Sequence, residues 1–121
     1  MIDYEINEFG RRLGLPSLEL NQNGMASLVI EGLGTVMLEK TSGQGDGELL
    51  LVLSRPVEPS ETGRYARLLE AVGWRRNPPF RMSAAFFRQS LILTARFEEG
   101  AVTAALLENA LRVLSDEIER A

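Results

Sequence analysis

Seven arginines between residues 64 and 96, interleaved with Tyr65, Trp74, Phe80, Phe86 and Phe87, come nearest to a chemical function by type and spacing. Guanidinium groups beside aromatic rings can track a phosphate backbone and stack unpaired bases. This stretch holds one acid, Glu70, and so carries +6, against −6 for residues 1–63 and −4 for residues 97–121. The total is −4, with a sequence pI near 4.9. An acidic chain is a poor basis for a function dominated by phosphate contacts. Single-stranded nucleic-acid binding is therefore the lesser reading. Arginines facing acidic surface, within the fold or across a subunit interface, are the plainer one.

Other chemistries lack their reagents. With no histidine and no cysteine, the chain has no imidazole base, no thiol nucleophile, no disulfide and no thiolate metal site, and it lacks the commonest metal ligand. Lys40 is the one lysine, so Schiff-base chemistry has one candidate. Gly43-Gln44-Gly45-Asp46-Gly47 has a glycine-rich look, but a dinucleotide fingerprint needs a helix after it, and an apolar strand follows. It reads as a flexible hairpin loop. Glu98-Glu99 reads as acid placed to favour the N-terminus of the last helix rather than as a catalytic pair. Asp116, Glu117 and Glu119 read as a solvated helix end, not as metal ligands. No catalytic residue, metal or cofactor is expected. Binding is favoured over catalysis.

The elements that must carry a binding surface follow from periodicity. Ile2, Ile6, Phe9 and Leu13 share one helical stripe, with acids early, Arg11 and Arg12 late, and Gly14 and Pro16 to end it. Leu18-Glu19-Leu20 is a short alternating piece leading to an Asn23-Gly24 turn. Strands are predicted over Met25 to Glu31, Thr35 to Lys40 and Glu48 to Ser54, with a glycine-bracketed turn at residues 32–34. Ser60 caps a second helix from Glu61 to Val72, and an irregular Trp74 to Pro79 stretch follows. Strands Arg81 to Phe87 and Leu91 to Phe97 form another hairpin. From Ala101 the chain is helical, with Leu107, Leu111, Leu114 and Ile118 on one face. The fold class is α+β in the order α-β-β-β-α-β-β-α, a twisted antiparallel sheet with helices packed on it. At 121 residues and 45% apolar, one domain over residues 1–121 is expected. No run nears the roughly 20 apolar residues of a membrane span. Nor does the N-terminus look like a signal peptide, so the chain reads as cytoplasmic.

Strand parity says most about function. Leu28, Ile30, Val36, Leu38, Leu49, Leu51, Leu53, Leu91 and Leu93 fall on one parity and suit a face covered by helices. The other parity should be polar if water covers it. Instead it reads Met25, Val29, Met37, Leu50, Val52 and Ile92, diluted by Ser27, Thr35 and Thr94. Such a face needs a cover: the middle helix, a second subunit, a ligand, or another chain.

The opening Phe9-Gly10-Arg11-Arg12-Leu13-Gly14-Leu15-Pro16-Ser17-Leu18-Glu19-Leu20, with Asn23-Gly24 and the alternating Leu28-Val29-Ile30, resembles the class I type III secretion chaperones, the group of the Tir chaperone. The element order is similar over nearly the whole chain, although Trp74 to Phe80 departs from the family pattern. The resemblance implies a non-enzymatic homodimer holding the N-terminal segment of a secreted effector in extended form. Mapped onto this sequence, it implies client contacts at Met25, Val29, Met37, Leu50, Val52 and Ile92. Phe9 and Leu13 form their rim, and Leu18 and Leu20 offer a pairing edge. Tyr65, Leu68, Leu69, Val72 and Trp74 are implied at the dimer interface. A regulatory adaptor of the same fold, binding a folded partner, is the alternative.

Overall fold

Acids at Asp3 and Glu5 and bases at Arg11 and Arg12 match the two ends of the first helix dipole, and helix α1 forms over Ile2–Arg12. A computed structural model of the chain describes residues 2–41, 47–61, 63, 66–68 and 80–120. Gly14, at φ +93°, terminates α1. The Leu15 N–H donates to the Gly10 carbonyl at 3.0 Å and the Gly14 N–H to Arg11 at 3.0 Å, the paired bonds of a Schellman end.

Strands β1 (Met25–Ile30), β2 (Gly34–Lys40) and β3 (Glu48–Pro56) follow, then a 3-10 turn at Pro59–Glu61, β4 (Arg81–Phe87), β5 (Ser90–Glu98), a 3-10 turn at Glu99–Ala101, and helix α2 (Ala104–Arg120). Residues 63 and 66–68 are helical, inside the predicted second helix. The rest of that segment, the 74–79 stretch and the 42–46 loop lie outside the described residues.

The sheet is antiparallel throughout, in the order β1-β2-β3-β5-β4. The β4–β5 hairpin closes through Arg88 (φ 49°) and Gln89 (φ 64°), both left-handed as a type I′ turn requires. The Gln89 carbonyl accepts the Val57 N–H at 2.9 Å, which ties that turn to the end of β3. At the other end of the sheet, the Asn21 side chain accepts the N–H groups of Asn23 (2.8 Å) and Met25 (3.0 Å), and Gly24 takes φ +76°.

Helices α1 and α2 supply one side of the core. Ile6, Phe9, Leu107, Leu114 and Ile118 are fully buried with Val36, Leu38, Leu49, Leu51, Leu53 and Leu93 from the sheet. Two sequence expectations fail at α2. Its N-terminus is served not by Glu98 or Glu99 but by Glu5 of α1, whose carboxylate accepts the Ala104 N–H at 2.8 Å, and by Thr103, whose hydroxyl accepts the Leu106 N–H at 3.0 Å. The 3-10 turn sets the two earlier glutamates back, and Glu99 instead holds Lys40 at 2.9 Å. Glu117 is not solvated but 3% exposed, because it stands three residues after Leu114 on the buried stripe. Glu119 meets Arg55 at 3.0 Å.

Candidate functional site

Alternation along each strand sorts the sheet into two surfaces. Leu49, Leu51 and Leu53 have no exposed surface, whereas Leu50 and Val52 between them are only half-buried. Pairing registers align the second face in three rows. One row is Val29, Thr35, Ser54, Ile92 and Ala85. The next is Ser27, Met37, Val52, Thr94 and Ser83. The third is Met25, Glu39, Leu50, Arg96 and Arg81. The apolar content is therefore concentrated over β1, β2, β3 and β5, with charge at one end. Met25, Val29, Met37, Leu50, Val52 and Ile92 belong neither to the core cluster nor to the half-buried apolar residues packed against it. Val29 is 78% exposed.

The face ends in an open strand edge at β1. The Gly24 carbonyl accepts the Lys40 N–H at 2.8 Å, so backbone groups alternate from there: Ala26 and Leu28 point toward β2, and Met25, Ser27 and Val29 point away. Asn21 occupies Met25, donating its N–H to the Met25 carbonyl at 2.7 Å and accepting the Met25 N–H through its side chain. Ser27 and Val29 are left with their N–H and C=O groups on the outer edge of the sheet. A strand edge of this kind is a template for another extended chain.

Other predicted site residues divide by depth. Phe9 is fully buried in the core. Leu18 is 8% exposed, packs on Gly10, and donates its N–H to Asn7 Oδ1 at 3.1 Å. Leu13 and Leu20 are half-buried against the core. The open edge is thus β1 itself rather than the Leu18–Leu20 piece. Of the five residues implied at a dimer interface, Leu68 is fully buried within this chain's own core. Tyr65, Leu69, Val72 and Trp74 lie outside the described residues.

Sequence reasoning places Phe86 and Phe87 only among the aromatics of the arginine-rich segment; in the fold they are 43% and 60% exposed. A signal for exposure was available, since consecutive strand residues face opposite sides and cannot both enter one core. The Arg88 guanidinium lies 5.2 Å from the Phe87 ring centre. Electrostatically, Arg96 reaches Glu48 at 3.5 Å, so one arginine of the 64–96 segment faces acid within the fold. The hydrogen bond that the Lys40 ammonium donates to Glu99, with the charge of that carboxylate, raises the Lys40 pKa above its ordinary value.

A face of apolar side chains ending in an open edge suits an extended polypeptide. The model of the Tir chaperone protein (CesT) family matches residues 5–121. The chain belongs to that family. Solved structures share the secretion-chaperone fold. A chain of the Yersinia pestis type III secretion chaperone SycH in complex with a stable fragment of YscM2 superposes with a TM-score of 0.73 at 17% identity, covering 99% of this chain and 98% of that one. A chain of the ExsC–ExsE complex gives 0.72 at 24% identity, covering 98% and 88%. A chain of the ExoU–SpcU complex from the type III secretion system of Pseudomonas aeruginosa gives 0.64 at 18% identity, covering 95% and 93%. No curated protein sequence matches the chain. Among the described residues, no helix of this CesT-family protein is long and apolar enough to cross a membrane.

Proposed function

We infer that this CesT-family protein is a type III secretion chaperone that binds the N-terminal segment of a cognate effector in extended form and keeps it soluble and competent for secretion. The observation that carries the reading is the second sheet face, apolar across four strands and bounded by the open edge at Ser27 and Val29. One stretch of the client adds main-chain hydrogen bonds at that edge, and a further stretch crosses the face over Met25, Met37, Leu50, Val52 and Ile92. Methionines suit a surface that must fit an unstructured partner. Leu13 and Leu20, half-buried on the helix-covered side, stand apart from that face, and Phe9 and Leu18 are packed in the core. Ordering an extended client costs conformational entropy, so affinity comes from a large wrapped area.

Residues 1–121 act as one domain, in the bacterial cytoplasm and without catalysis. Two copies pair through the segment holding Tyr65, Leu69, Val72 and Trp74, with Leu68 anchoring it to each core. Co-expression with the effector encoded beside the gene tests the reading. Wild type is expected to sediment at about twice 13.4 kDa and to co-purify with its client. Val29→Asp and Leu50→Asp are expected to remain folded dimers by circular dichroism and sedimentation, with client recovery lost. Undiminished recovery with both variants would contradict the face assignment, and a clean monomer would contradict the dimer.

A further inference from the structure

Arg81 of β4 and Arg96 of β5 are directly opposite each other in the antiparallel register, on the second sheet face. Like charges at directly opposed positions destabilise a strand pair, and among the described residues neither side chain belongs to the core or packs against it. Arg96 has a long contact with Glu48, 3.5 Å between partly exposed groups. Arg81 is exposed. Two guanidinium forks whose Cα atoms are separated by about 5 Å can hold one carboxylate from both sides, with charge-assisted hydrogen bonds that a single surface arginine cannot supply.

The surroundings limit what such a pair accepts. Glu39 is in the same cross-strand row, two strands from Arg96, and Glu48 and Glu98 oppose each other in the adjoining row. A phosphate backbone laid across this end of the face would meet three carboxylates along with the two arginines. A single carboxylate next to an apolar stretch meets the two arginines and one acid, the Glu48 already in contact with Arg96. The apolar residues begin beside the pair, at Leu50 in the same row and Val52 in the next.

We propose that the Arg81–Arg96 pair is a specificity subsite for a glutamate or aspartate of the extended client, fixing the register in which its apolar residues settle on the sheet face. This rests on the chaperone reading above and specifies the client's chemistry: an acidic residue followed by alternating apolar ones. The pair lowers the stability of the free protein and is offset when the client carboxylate arrives.

Three labelled probes test the subsite on the full-length protein. One is a blocked peptide with one glutamate followed by valines alternating with serines. The second is its glutamine counterpart, and the third is a twelve-nucleotide oligothymidine. Wild type is expected to bind the glutamate peptide at least tenfold more tightly than the glutamine peptide. In the Arg81→Gln/Arg96→Gln double variant that preference is expected to fall below twofold while the melting temperature holds or rises. Equal binding of both peptides by wild type, lost in Val29→Asp, would overturn the subsite and leave the face reading standing. A preference that survives in the double variant would also overturn it. Binding of neither peptide would count against both. Oligothymidine binding tighter than either peptide, lost in the double variant, would replace the client carboxylate with a nucleic acid.

Discussion

Gly10 shows how much a single position can depend on a distant one. It is buried in α1, where alanine would ordinarily raise helix propensity by about 1 kcal/mol. A Cβ at this position would collide with the Cβ of Leu18, the residue by which the chain folds back over the helix. Gly10→Ala is therefore expected to lower stability by about 1–3 kcal/mol, read as the denaturation midpoint; an unchanged or raised midpoint would mean that the 18–20 segment yields freely. The sequence displays the role of Gly14, because Leu13-Gly14-Leu15-Pro16 is a helix stop by local chemistry alone. It does not display the role of Gly10, which exists only once Leu18 has arrived. The same distinction separates the second-face residues, readable from parity, from Arg81 and Arg96, whose opposition depends on the hairpin register set by a two-residue turn made without glycine.

At the scale of elements, periodicity carries most of the architecture. Both described helices, five strands and the buried stripe of α2 follow from spacings of two, three and four. The ends of elements are less legible, because caps can come from anywhere. Glu5 reaches the N-terminus of α2 from ninety-nine residues away, whereas the nearby Glu98 and Glu99 look better placed in sequence. This bond links the two helices that cover the core face. Glu5→Gln keeps an acceptor but loses its charge, and is expected to cost about 1 kcal/mol. For a chain of this size that is a fall of about 3–6 °C in Tm; Glu98→Gln is expected to leave Tm unchanged. The reverse order of effects would restore the local assignment. The Lys40–Glu99 pair contributes differently with pH. Because Lys40 is raised above 10.5, its contribution is complete below that value and is lost only as pH rises through the folded-state value.

For the whole molecule, the central feature is an imbalance of surface. Among the described residues, α1 and α2 both lie on one face of the five-stranded sheet, and the apolar side chains of the other face stay outside the core. Strand parity makes this legible from the amino-acid order, since alternate positions are apolar on both sides. The strand order is not legible in that way: placing β5 between β3 and β4 depends on long-range pairing that no local pattern encodes. That order matters for function. It leaves β1 at one edge, with Ser27 and Val29 open, and puts the Arg81–Arg96 pair at the other. An extended client crossing from one to the other would pass over every apolar row. Amide hydrogen exchange of the protein with and without its co-expressed effector tests this path most directly. Slowed exchange is expected at the Ser27 and Val29 amides on client binding, with little change in the buried stripe of α2. Unchanged exchange at Ser27 and Val29 in a complex that remains intact would contradict an extended client paired to that edge.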